Sequence, residues 1–137
     1  MERPETKARA RALQLLYAWD LSGQPSIDTI VMRLARTYGG IPVGYDRGAE
    51  LAARATAGQQ EYDARLTRAA EHWRLERIGV IERNILRLAM AELDEGTTPP
   101  RVVIDEAVKL AHWFAGAKSP GFVNGVLDSV ARELGRL

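Results

Sequence analysis

Apolar residues recur along most of this chain at spacings of three and four, the period of a helix buried on one face, and no convincing alternating strand pattern interrupts them. The spacing predicts a first helix over about 4–21, with Ala8, Ala12, Leu15, Leu16 and Trp19 on one stripe and Ser22-Gly23 ending it. A second helix is predicted from Ser26, a good N-cap, to the stop at Gly39-Gly40. GGIPVG, 39–44, reads as a loop. Helices then follow over about 45–57, 60–73, 80–93, 101–115 and 120–134. EGTTPP, 95–100, is the clearest linker. The fifth helix is apolar over a wide arc, with Ile78, Ile81, Ile85 and Leu88 on one stripe and Leu86, Ala89 and Leu93 beside it, so it is expected to be central. Glu92 falls inside that arc and is read as a carboxylate satisfied by a helix end or an arginine.

The predicted fold is all-α: about seven helices in two small three-helix bundles, an N-terminal one over about 1–58 and a C-terminal one over about 59–137. A length of 137 residues suits one domain of this size. No apolar run approaches the roughly 18 residues of a membrane span, and the charged start MERPETKARARALQ is unlike a secretory signal. There is no cysteine, which removes disulfides, thiolate catalysis and cysteine-bound metal and fits a cytoplasmic setting.

Little in the chain points to catalysis. HExxH, GxSxG, GxGxxG and an EF-hand loop are absent, and His72 and His112 are in no ligand spacing. Gly116-Ala117-Lys118-Ser119 echoes part of a phosphate loop but lacks its second glycine. Asp105 and Glu106 are adjacent on a helix, so their carboxylates point about 100° apart. The sequence is therefore read as that of a non-enzyme with no cofactor and no metal.

The chemistry that remains is local charge with aromatics. Net charge is only +1, yet Arg3, Lys7, Arg9 and Arg11 stand against the single acid Glu5 between positions 3 and 11, a local charge of 4 − 1 = +3. A basic patch on a near-neutral chain suggests a defined anionic partner. Opposite the first helix's core stripe lie Arg3, Lys7, Gln14 and Tyr17, with Arg11 flanking them. A solvated polar face is the plain alternative. Bases that hold phosphates, an amide that reads base edges and an outward aromatic that stacks on an unpaired base point to RNA. Arg9 falls on the core shoulder, where an internal ion pair is an equal reading.

SPGFVNGVLDSV, 119–130, opens the seventh helix, with Ser119 suited to cap it and Pro120 to its first turn. Its stripe is Val123, Val126, Leu127 and Val130, and Phe122 sits roughly a quarter turn away. Free backbone N–H groups, the positive helix end and Lys118 make a phosphate seat, beside which Phe122 would stack a base. The alternative for Phe122 is packing against a neighbouring helix.

Four stretches in order resemble the NusB family of bacterial transcription antitermination factors: ALQLLYAW (12–19), ERNILRLAMAEL (82–93), IDEAVKLA (104–111) and FVNGVLD (122–128). The resemblance spans nearly the whole chain and implies two three-helix bundles with a short extra helix. It further implies binding of single-stranded boxA RNA of ribosomal RNA leader transcripts. NusE, a small-subunit ribosomal protein, would bind alongside it within an antitermination complex on RNA polymerase. Carried over by position, it implicates Lys7, Arg9, Gln14, Tyr17 and Phe122 in RNA binding, and Glu82, with Arg83 beside it, in contacting NusE. Family members also self-associate through the RNA face, which makes a homodimer a masked form. Two departures, Thr6 and Ala8 within the arginine run and Gly121 before the phenylalanine, imply weaker RNA binding. Two further readings are a targeting domain of a ribosomal RNA cytosine methyltransferase and a protein-only helical adaptor. The chain carries neither the cysteine nor the cofactor-binding region of such an enzyme.

Overall fold

The computed structural model describes residues 3–70 and 78–137. Among them are seven helices and no strand: α1 (Pro4–Leu21), α2 (Ile27–Tyr38), α3 (Tyr45–Ala57), α4 (Gln59–Ala69), α5 (Val80–Glu95), α6 (Pro100–Phe114) and α7 (Ser119–Glu133). The expected end of the fourth helix at Trp73, and His72, lie outside the described residues. The chain forms two compact units, Met1–Ala57 and Gly58–Leu137.

In the first unit α1 packs on α3 and α2, and α2 touches α3. All five residues of the predicted α1 stripe are buried, joined by Leu13. α1 approaches α3 closely because Gly48 lacks a side chain: a Cβ there would stand 2.8 Å from Arg11 Cβ and 3.2 Å from the Ala8 carbonyl oxygen. Ser26 caps α2 as expected, its hydroxyl accepting the Thr29 N–H at 3.2 Å. Gly39, left-handed at φ 72°, ends that helix.

In the second unit α5 packs on α4, α6 and α7, which accounts for its wide apolar arc. Ile85, Leu86, Leu88, Ala89 and Leu93 are buried, while Ile81 stays half-exposed near the helix start. Glu92 is buried within the arc. A buried hydrogen-bond network joins α4 to α5. The Arg87 side chain, 6% exposed, donates to both Asp63 oxygens at 2.8 and 3.0 Å and to Asn84 Oδ1 at 3.0 Å. Asn84 donates in turn to the Val80 carbonyl at 2.8 Å. A guanidinium cannot shed its proton, so its burial requires such partners. The end of α5 is closed by Gly96 at φ 77° and by the Arg136 guanidinium, which donates to the carbonyls of Leu93 and Asp94. No described helix is long and apolar enough to cross a membrane.

Candidate RNA and protein interface

The first unit presents one polar face of α1. Arg3, Lys7, Gln14 and Tyr17 are exposed, Tyr17 at 43%, and Arg11 is half-buried beside them. The structure thus brings these five residues onto one surface. Arg9 does not join it. At 5% exposure it lies within the unit, where the sequence had left an internal pairing open, and it has little surface to offer a ligand. Thr6 and Ala8 are buried too. The interrupted arginine run therefore follows from packing: positions 6 and 8 turn inward, and a long cation there would have to be buried.

Glu5, the one acid in the basic stretch, is held away from it. Arg47 on α3 donates to both Glu5 oxygens, at 3.2 and 3.3 Å, and to Glu50 at 3.0 Å. The Glu5 hydrogen bond first, then that of Glu50, raises the Arg47 pKa above its ordinary value. Its charge compensates Glu5 and leaves the neighbouring bases less opposed.

A second device on this face was not visible in the sequence. Gln14 Oε1 accepts the Tyr45 hydroxyl at 2.6 Å and Arg11 Nη1 at 3.3 Å. The Arg11 guanidinium lies 5.2 Å from the centre of the Tyr45 ring. Tyr45 opens α3 and is buried, so it supports the face from beneath. No local pattern ties position 45 to position 14.

In the second unit the start of α7 differs from the sequence expectation in two respects. Ser119 is inside the helix and not its cap; Lys118 takes the cap place, in helical conformation and without a side-chain capping bond. The Ser119 N–H donates to Gly116 at 3.0 Å and the Phe122 N–H to Lys118 at 3.4 Å, and Pro120 has none. Two of the expected free N–H groups, those of Ser119 and Phe122, are thus spent on backbone carbonyls, and Lys118 is exposed. Space above Gly121 is open, and a ligand can reach its backbone. Phe122 is half-buried on the helix shoulder, while Val123, Val126, Leu127 and Val130 fill the core. Just upstream, Trp113 and Phe114 are exposed and meet edge to face at 6.3 Å, with Lys109 Nζ 5.9 Å from the Trp113 ring. The sequence reading passed over this pair.

Glu82 and Arg83, the expected protein-facing residues, are half-buried at the start of α5. The Glu82 carboxylate folds back over its own helix end: a Cβ on Gly79 would lie 2.6 Å from Glu82 Oε1. An acidic group there is favoured by the helix dipole. Arg83 Nη1 donates to the Ile78 carbonyl at 3.4 Å. Asp105 is exposed and Glu106 buried, so that acidic pair does not converge. No group of three metal-ligating side chains occurs among the described residues.

Residues 6–132 match the sequence model of the NusB family. The chain belongs to the NusB family. The transcription antitermination protein NusB of Solibacter usitatus (strain Ellin6076) is 46% identical over 129 residues, covering 93% of this chain and 88% of that protein. Among solved structures, NusB from Aquifex aeolicus superposes with a TM-score of 0.81 at 30% identity, covering 96% of this chain and 89% of the other. A crystal structure of antitermination factors NusB and NusE in complex with double-stranded RNA gives the same TM-score and identity, over 97% and 99% of the two chains. The all-α fold read from the sequence is thus the fold of the family.

Proposed function

We propose that this protein is a transcription antitermination factor. It binds the boxA segment of ribosomal RNA leader transcripts together with ribosomal protein NusE, as part of an antitermination complex on RNA polymerase. The observation that carries this reading is the polar face of α1, where exposed bases, an amide and an aromatic ring stand together over a buried stripe. Likeness to the complex of NusB, NusE and double-stranded RNA supports both partners.

In this reading Arg3, Lys7, Arg11 and Lys118 neutralise phosphates, and Tyr17 and Phe122 stack bases splayed from a single strand. Gln14 contacts a base edge. Arg9 supports α1 from within. Glu82 and Arg83 mark the side that meets NusE. Binding of either partner raises the effective concentration of the other, so the pair should hold RNA more tightly than this chain alone.

Titration of the protein, alone and with NusE, against single-stranded boxA RNA, its duplex and a scrambled strand tests the reading. Preference for the single boxA strand is expected, strengthened by NusE. With about four phosphate contacts, log affinity should fall against log salt with a slope of about −3. Equal affinity for boxA and scrambled RNA, with and without NusE, would overturn the reading.

A further inference from the structure

The contacts around Gln14 carry more than its presence at the surface. A guanidinium has N–H donors and no acceptor, so the atom facing Arg11 Nη1 at 3.3 Å must be the amide oxygen. The same oxygen accepts the Tyr45 hydroxyl at 2.6 Å. Both of its lone pairs are then in use, and the amide cannot rotate by half a turn without setting N–H against N–H. What Gln14 has left to offer a ligand is Nε2 with its two N–H bonds.

The clamp is rigid. Tyr45 is 8% exposed, and α3 is held against α1 by the close approach at Gly48. The Tyr45 ring also lies beneath the Arg11 guanidinium. An unclamped glutamine can pair with adenine through donor and acceptor together. A clamped one can only donate.

We infer that Tyr45 is a specificity-determining positioning residue: by holding the Gln14 amide oxygen, it makes Gln14 a donor-only reader that, where it meets the exocyclic position of a base, selects the keto oxygen of uracil (O4) or guanine (O6) over the amino group of cytosine or adenine. The inference rests on the RNA-binding reading above. It adds a buried residue that touches no RNA and a rule for which base edge sits at Gln14.

The test is a single-base scan of boxA RNA, with each uridine replaced by cytidine and each guanosine by 2-aminopurine, which lacks O6. For the parent protein one position should lose about tenfold in affinity on replacement. Tyr45→Phe keeps the ring under Arg11 and removes only the hydroxyl. It should unfold at nearly the parent temperature, and the loss at that position should shrink to about threefold or less. Gln14→Glu exchanges outward donors for acceptors in the same clamp, and preference at that position should turn toward cytidine or adenosine. A base profile in Tyr45→Phe and Gln14→Glu identical to the parent's overturns the inference and leaves RNA binding standing. A parent protein with no preference for boxA over a scrambled strand overturns both.

Discussion

Phe122→Ala is expected to weaken boxA RNA binding by about 5- to 150-fold, the worth of one base–aromatic stack at about 1–3 kcal/mol. The ring is half-buried on the shoulder of α7, and its removal also loses packing worth about 1 kcal/mol, so unfolding stays cooperative with a modestly lower midpoint. The two effects separate the readings left open by the sequence. A stacking residue loses affinity far beyond its loss of stability. A packing residue loses stability and leaves the affinity of the folded fraction unchanged. Fluorescence anisotropy with labelled RNA, set beside a urea titration of the same variant, distinguishes them; affinity within twofold of the parent would remove Phe122 from the interface.

Asp63→Ala is expected to be strongly destabilising. It leaves the Arg87 guanidinium, with 6% of its side chain exposed, without the carboxylate that accepts two of its hydrogen bonds. Breaking a buried pair on one side costs about 3–5 kcal/mol, and the lower end applies because the Asp63 side chain is 24% exposed and water can reach the vacancy. The urea midpoint should fall by about 2 M at slopes usual for a protein of this size. Replacing both partners with apolar residues, Asp63→Leu with Arg87→Met, should recover most of the loss, since no charge is then stranded. A midpoint within 0.5 M of the parent for Asp63→Ala, roughly 1 kcal/mol or less, would show that Arg87 does not depend on this pair.

Much of the architecture was legible because it is local. Stripes such as Ala8–Trp19 and Val123–Val130 repeat at helical spacing, and Ser26, Gly39 and the linker EGTTPP (95–100) mark boundaries through their own backbone chemistry. The exposed residues of α1 were legible for the same reason, being the complement of its buried stripe. What failed, or stayed open, depended on more than one element. Arg9 sat on a shoulder that the wheel could not assign, and packing in the first unit buries it. Ser119 has the chemistry of a cap, yet the turn at Gly116 lets the helix start a residue earlier. Arg87 with Asp63, Arg47 with Glu5 and Tyr45 with Gln14 join residues 24, 42 and 31 positions apart. Period and propensity carry no information at such separations. The state of the Ser119 and Phe122 N–H groups also needed coordinates, because it depends on the turn that precedes α7.

Amide chemical-shift mapping of the labelled protein during titration with boxA RNA tests RNA recognition most directly. The largest shifts are expected along α1 at Lys7, Arg11, Gln14 and Tyr17, and at the start of α7 from Lys118 to Phe122, with Arg9 responding less than its exposed neighbours. Shifts confined to α2 or to the start of α5, with α1 and the first turn of α7 unmoved, would contradict it.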